Sequence, residues 1–97
     1  MKKCFVLAIN GLNAEEQKQV TELIKKEFSW WHWIDGFWLV VDDIGEPTSV
    51  KLRDMAKEIN ENAILLAIEV TSSDHWAGFG PKDEDRNMFN WLHDTWD

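Results

Sequence analysis

The sequence predicts an α+β fold, an antiparallel four-stranded sheet with two helices on one face and a C-terminal tail carrying a short helix. Three observations predict it. Short apolar, β-branched runs alternate with stretches of helical periodicity. An Asp35-Gly36 pair lies between two aromatic runs, the strongest short-range hairpin signal in the chain. The resulting order is strand, helix, hairpin, helix, strand within 97 residues, too few for more than one domain. That domain covers 1–97, with a core of about 3–70 and a tail of 71–97.

The elements follow in order. Residues 3–10 are short and apolar enough for a buried strand, and Gly11 and Asn13 break it. Asn13 is a good N-cap, and Glu16 stands where a capping box needs it. Val20, Leu23, Ile24 and Phe28 then form one helical stripe. Trp30-Trp31-His32-Trp33-Ile34 and Phe37-Trp38-Leu39-Val40-Val41 are the arms of the hairpin. Asp42, Asp43, Gly45, Glu46 and Pro47 make an acidic loop. Thr48 or Ser49 caps a second helix with Leu52, Met55, Ala56 and Ile59 on one side, and Asn60-Glu61-Asn62 closes it. Residues 63–70 are the fourth strand. In the tail, a helix near 83–96 places Met88, Trp91, Leu92 and Trp96 together. The order is the βαββαβ pattern of ferredoxin-like folds.

Composition narrows the function. The chain carries 10 Lys and Arg against 18 Asp and Glu, a formal charge of -8. Phosphate backbones are gripped by Lys and Arg, so direct nucleic-acid binding is disfavoured. An anionic membrane surface offers it nothing either, and no run nears the ~20 apolar residues of a membrane span. The single cysteine, Cys4, cannot form an internal disulfide, which points to a reducing, cytoplasmic compartment. The apolar run after Lys2-Lys3 is too short for a secretory signal.

The sheet faces set the assembly expectation. With a two-residue Asp35-Gly36 turn, Ile34 opposes Phe37, Trp33 opposes Trp38 and Trp31 opposes Val40. One face then holds Trp30, His32, Ile34, Phe37, Leu39 and Val41, and the other Trp31, Trp33, Trp38 and Val40. Strands one and four are apolar on both faces as well: Phe5, Leu7 and Ile9 against Cys4, Val6 and Ala8, and Ile64, Leu66, Ile68 and Val70 against Leu65 and Ala67. Two helices cover one face only. Each large side chain left wet forgoes about 1.5–3 kcal/mol, so the second face needs a cover. The expected cover is a second copy of the chain, with Trp31, Trp33, Trp38, Val40, Trp76 and Phe79 at the dimer or partner interface. The alternative is a monomer capped by its own tail. Asp35, Asp42, Asp43 and Glu46 are expected to form an acidic surface.

Other candidate sites read as structural. Asp42, Asp43 and Glu46 do not match a calcium-loop pattern. His32, among tryptophans and without a nucleophile or carboxylate at readable spacing, reads as a packed histidine. Asp74-His75 and His93-Asp94 supply too few ligands for a zinc site. Cys4 is expected to be inert packing, and Gly78-Phe79-Gly80-Pro81 lacks the Gly-Lys-Ser/Thr end of a phosphate loop. No catalytic residue, metal or cofactor is expected.

The run Trp30-Trp31-His32-Trp33-Ile34-Asp35 with Trp38-Leu39-Val40, then Trp76-Ala77-Gly78-Phe79 and Trp91-Leu92, resembles a group of small bacterial and phage proteins. They include SinR-like members, and they are similar to the CRISPR-associated ferredoxin-like family, the small subunit of the spacer-acquisition complex and its endoribonuclease relatives. The resemblance spans about residues 3–92. It implies a ferredoxin-like homodimer in which the segment after the fourth strand packs across the partner. It also implies metal-dependent nuclease activity where an Asp ends the first strand and is paired across the dimer axis. Here that strand ends Ala8-Ile9-Asn10-Gly11-Leu12-Asn13, with no carboxylate before Glu15. Neutral Asn side chains bring no charge to hold Mg²⁺. The leading expectation is a non-catalytic dimeric interaction protein with a protein partner. The alternatives are a nuclease using other carboxylates, and an acidic, phage-type inhibitor that docks on a basic nucleic-acid groove.

Overall fold

The Asn13–Glu16 capping box forms as expected: Glu16 N donates to Asn13 Oδ1 at 2.8 Å, and Asn13 N donates to Glu16 Oε1 at 3.0 Å. It launches the first helix of a computed structural model that describes residues 2–43, 48–71, 76–83 and 86–96. The elements are β1 (Lys3–Asn10), α1 (Ala14–Lys25), β2 (Ser29–Ile34), β3 (Phe37–Asp42), α2 (Thr48–Ile59) and β4 (Ile64–Val70). A single π-helical turn, Leu92–Trp96, ends the described chain. The four strands form one antiparallel sheet in the order β2-β3-β1-β4, the ferredoxin-like arrangement. The strand order makes β2 and β4 the two edges.

Both helices lie on one face. Val20 and Ile24 of α1 and Leu52 and Ala56 of α2 pack onto Phe5, Leu7 and Ile9 of β1 and Trp38 and Val40 of β3. Thr48, at the start of α2, donates its hydroxyl hydrogen to the buried Asp42 carboxylate. That bond ties α2 to the end of β3.

The hairpin departs from the expected register in one place. Its turn does have two residues, with Ile34 opposite Phe37. Beyond it, Trp31 pairs with Leu39 and Trp30 with Val40, one residue out of step. A β-bulge at His32-Trp33 absorbs the extra residue. Side chains alternate with a period of two, so the slip exchanges the faces. Trp38 and Val40, expected on the outer face with Trp31 and Trp33, are instead fully buried beneath the helices. Phe37, Leu39 and Val41 go to the opposite face with Trp31. His32 keeps the helix side and stacks on Trp38, with ring centroids 4.2 Å apart. The relocated indole finds a partner: Trp38 Nε1 donates to Thr21 Oγ1 at 2.9 Å.

Gly36 closes the hairpin with φ of +70°, a conformation that L side chains rarely adopt. A Cβ there would also fall inside contact distance of the Ile9 carbonyl oxygen, the neighbour whose N–H donates to Gly36 O at 2.7 Å. Gly36→Ala is therefore expected to lower stability by about 2 kcal/mol in urea unfolding, strain and clash acting together. Asn13→Ala, which removes only the cap, should cost about 1 kcal/mol in the same measurement.

Candidate functional site

The second face of the sheet is covered in part by the chain's own tail. Met88, Leu92 and Trp96 pack against Cys4, Trp31, Leu39 and Val41, with Trp76, Phe89 and Trp91 around them. Trp31 is the main anchor: buried, it donates its indole N–H to the Met88 carbonyl at 2.7 Å. At the far end, Lys2 Nζ donates to Thr95 O at 2.5 Å and Trp96 O at 3.1 Å, so an ammonium holds the last carbonyls of the turn. Between these points the tail is less helical than expected. Residues 81–88 include a turn in which Asp83 N donates to Arg86 O and Met88 N donates to Pro81 O. Regular helix starts only near Asn90. The helix expected near 83–96 is thus confined to its second half.

The tail-side core takes in β2, β3, the near half of β1 and Val70 at the end of β4, and it leaves the rest of β4 open. On this face Cys4 lies opposite Val70, Val6 opposite Ile68, Ala8 opposite Leu66 and Asn10 opposite Ile64. Ile64 is 74% exposed, Leu66 64% and Ile68 49%. Ile34, across the sheet at the hairpin end, is 52% exposed. Ile64 and Leu66 with Ala8, Phe37 and Ile34 line an open groove of about 480 Å³. Lone exposed aliphatics are ordinary on a protein surface; a contiguous strip along an edge strand is a candidate interaction site.

The expected interface residues are dispersed by this arrangement. Trp31 is buried under the tail, while Trp38 and Val40 lie in the helix-side core. The dimer contact expected across the tryptophan-rich face is therefore filled from within the same chain. Trp33 is 38% exposed, with the Arg86 guanidinium 5.7 Å above its ring. Trp76 is half-buried and stacks on Phe89 at 6.0 Å, and Phe79 is 88% exposed. Of the acidic set, Asp35 and Asp43 are exposed. Asp42 is not a surface group: it is 3% exposed and accepts from Thr48. Glu46 lies outside the described residues, as do Asp74 and His75.

The candidate chemical groups are placed as packing. His32 Nδ1 lies 2.8 Å from Phe37 O, and its ring is held flat on Trp38. Cys4 is a buried free thiol. His93 lies beside the Trp76 ring at 5.1 Å. Among the described residues, no group of ≥ 3 His, Cys, Asp and Glu side chains is placed to hold a metal ion. Asn10 ends β1 as an exposed neutral amide beside Ile64. No described helix is long and apolar enough to cross a membrane.

No family model, curated protein or solved structure matches this chain.

Sequence reasoning missed the site itself. The signal was present in Ile64, Leu66 and Ile68, an alternating set with no polar residue. Which part of the second face stays open depends on where the tail is fastened, however, and no local pattern carries that. Trp31→Phe keeps an aromatic ring but leaves the Met88 carbonyl without its donor. It is expected to cost about 1–2 kcal/mol in urea unfolding and to speed proteolysis within 76–96 while the helix-side core stays intact.

Proposed function

We propose that this chain is a non-catalytic interaction protein that works as a homodimer. Its fold is like that of the small spacer-acquisition subunit, and it lacks the Asp that the nucleases of that family carry at the end of the first strand. The reading rests on one observation: Ile64, Leu66 and Ile68 present a bare aliphatic strip that the chain's own tail leaves open. Burying such side chains is worth about 1.5–3 kcal/mol each, and a second copy supplies a matching strip. The charge balance supports a protein contact over a phosphate backbone, because 18 acidic residues face 10 basic ones. Asn10, where the family's nucleases carry the metal-binding carboxylate, supports the non-catalytic reading.

Light scattering tests the dimer directly. The expected mass is about twice 11.4 kDa. Each copy carries a charge of -8, so salt should screen their repulsion and strengthen the dimer. A charge mimic bound to a basic groove would instead lose its partner as salt rises. Leu66→Lys alters an exposed position, so it should give a monomer with unchanged circular dichroism. Incubation with RNA or DNA and Mg²⁺ or Mn²⁺ is expected to give no cleavage. A single-chain mass at high concentration and high salt would overturn the dimer reading.

A further inference from the structure

We infer that two copies join edge to edge, β4 against β4 in antiparallel fashion about a two-fold axis at Ala67, to make one continuous eight-stranded sheet. The inference rests on the homodimer reading and specifies its geometry. β4 pairs with β1 through seven consecutive residues without a bulge, so it runs straight in the ladder. Among the described residues, no strand lies on its other side. Natural edge strands are guarded by Lys, Pro, bulges or a covering segment. Ile64-Leu65-Leu66-Ala67-Ile68-Glu69-Val70 has neither Lys nor Pro, and its one charge is Glu69. The tail that covers the other strands does not pack over Ile64, Leu66 or Ile68.

Backbone hydrogen bonding favours this mode over a flat contact between sheet faces. The exposed parts of Ile34, Ile64, Leu66 and Ile68 amount to roughly a few hundred Å², the size of an ordinary largest surface patch. A stable interface takes about 800 Å² from each partner. Pressing one strip on another falls short of that. Edge pairing sets the two strips side by side, where Ile64, Leu66 and Ile68 bury their flanks, and it draws its stability chiefly from the N–H and C=O groups on the outer side of both strands.

The sequence of β4 suits the two-fold. With Ala67 opposite the partner's Ala67, all seven residues pair. On the open face Ile64 meets the partner's Val70 and Leu66 meets the partner's Ile68. On the helix side Leu65 meets the partner's Glu69, so the two Glu69 carboxylates do not face one another.

Cysteine cross-linking tests the register. Side chains diagonal to one another across an antiparallel pair lie about 7–8 Å apart. Ile68→Cys and Leu66→Cys each place their two copies at that diagonal. Ile64→Cys places its copies six residues apart along the pair, about 20 Å. All three positions are exposed, and the wild type, whose only thiol is the buried Cys4, supplies the background. A bis-maleimide spanning about 8 Å is expected to link Ile68→Cys and Leu66→Cys at least tenfold faster than Ile64→Cys. If the wild type has dimer mass but Ile64→Cys links as fast as the others, or none links, the edge pairing is overturned and the homodimer reading stands. If the wild type has the mass of one chain, both fall. If a foreign protein strand occupies β4, the purified chain is likewise a monomer, and the two-fold sheet is overturned.

Discussion

A four-stranded sheet that is apolar on both faces has to be covered twice, and this chain has only enough material for one and a half covers. β1 shows the problem most clearly: Phe5, Leu7 and Ile9 turn to the helices, while Cys4, Val6 and Ala8 turn away from them. α1 and α2 complete the first side. The tail must serve the second, and it is fastened at two places, by the Trp31 indole on Met88 and by Lys2 on the last carbonyls. Those anchors hold it over β2, β3 and the near part of β1. The bare strip on β4 follows from where the tail is fastened.

The bulge at His32-Trp33 decides which residues each cover meets. In a regular hairpin Trp38 would share a face with Trp31, and two indoles would compete for one layer. The extra residue sends Trp38 into the helix-side core and leaves Trp31 for the tail. Each indole N–H then has its own acceptor, Thr21 Oγ1 on one side and Met88 O on the other. A buried donor without an acceptor costs about 1–3 kcal/mol, so the slip is stabilising on both faces. It also lets His32 cover Trp38 with its ring, and this is why the histidine reads as packing.

Much of this is legible in the sequence, and the failures have one cause. Element order, the Asn13 cap, the Asp35-Gly36 turn and the two-faced character of β1 and β4 all depend on neighbours within a few residues. The bulge does not announce itself, because no Gly or Pro stands at His32-Trp33. It is selected by what Trp31 and Trp38 meet from distant parts of the chain. The burial of Asp42 depends on Thr48, across a loop, so by sequence Asp42 reads as one more acidic loop residue. The tail helix is short because the turn between Pro81 and Met88 uses up residues that the Met88, Trp91, Leu92 and Trp96 spacing had promised to a longer helix. The open strip was visible as an alternation, but its exposure follows from the limit of the tail's reach.

The two edges of the sheet are not equivalent, and the difference bears on what kind of assembly is available. β2 is the edge that carries the bulge, which breaks the ladder and twists the strand away from a flat template. Arg86 of the tail also lies over Trp33 on that strand. β4 is straight and aliphatic, and among the described residues no strand pairs with its outer side. A chain with two open edges adds copies without limit and grows into a fibre. A chain with one open edge and one closed edge stops at two, because a two-fold contact uses up both copies of the open edge. The charge of -8 works in the same direction: at long range it keeps copies apart, and β4 contributes only Glu69 to it. The proposed β4 pairing brings only the two Glu69 carboxylates near one another, so it meets little of that repulsion, and it uses up the open edge of both copies.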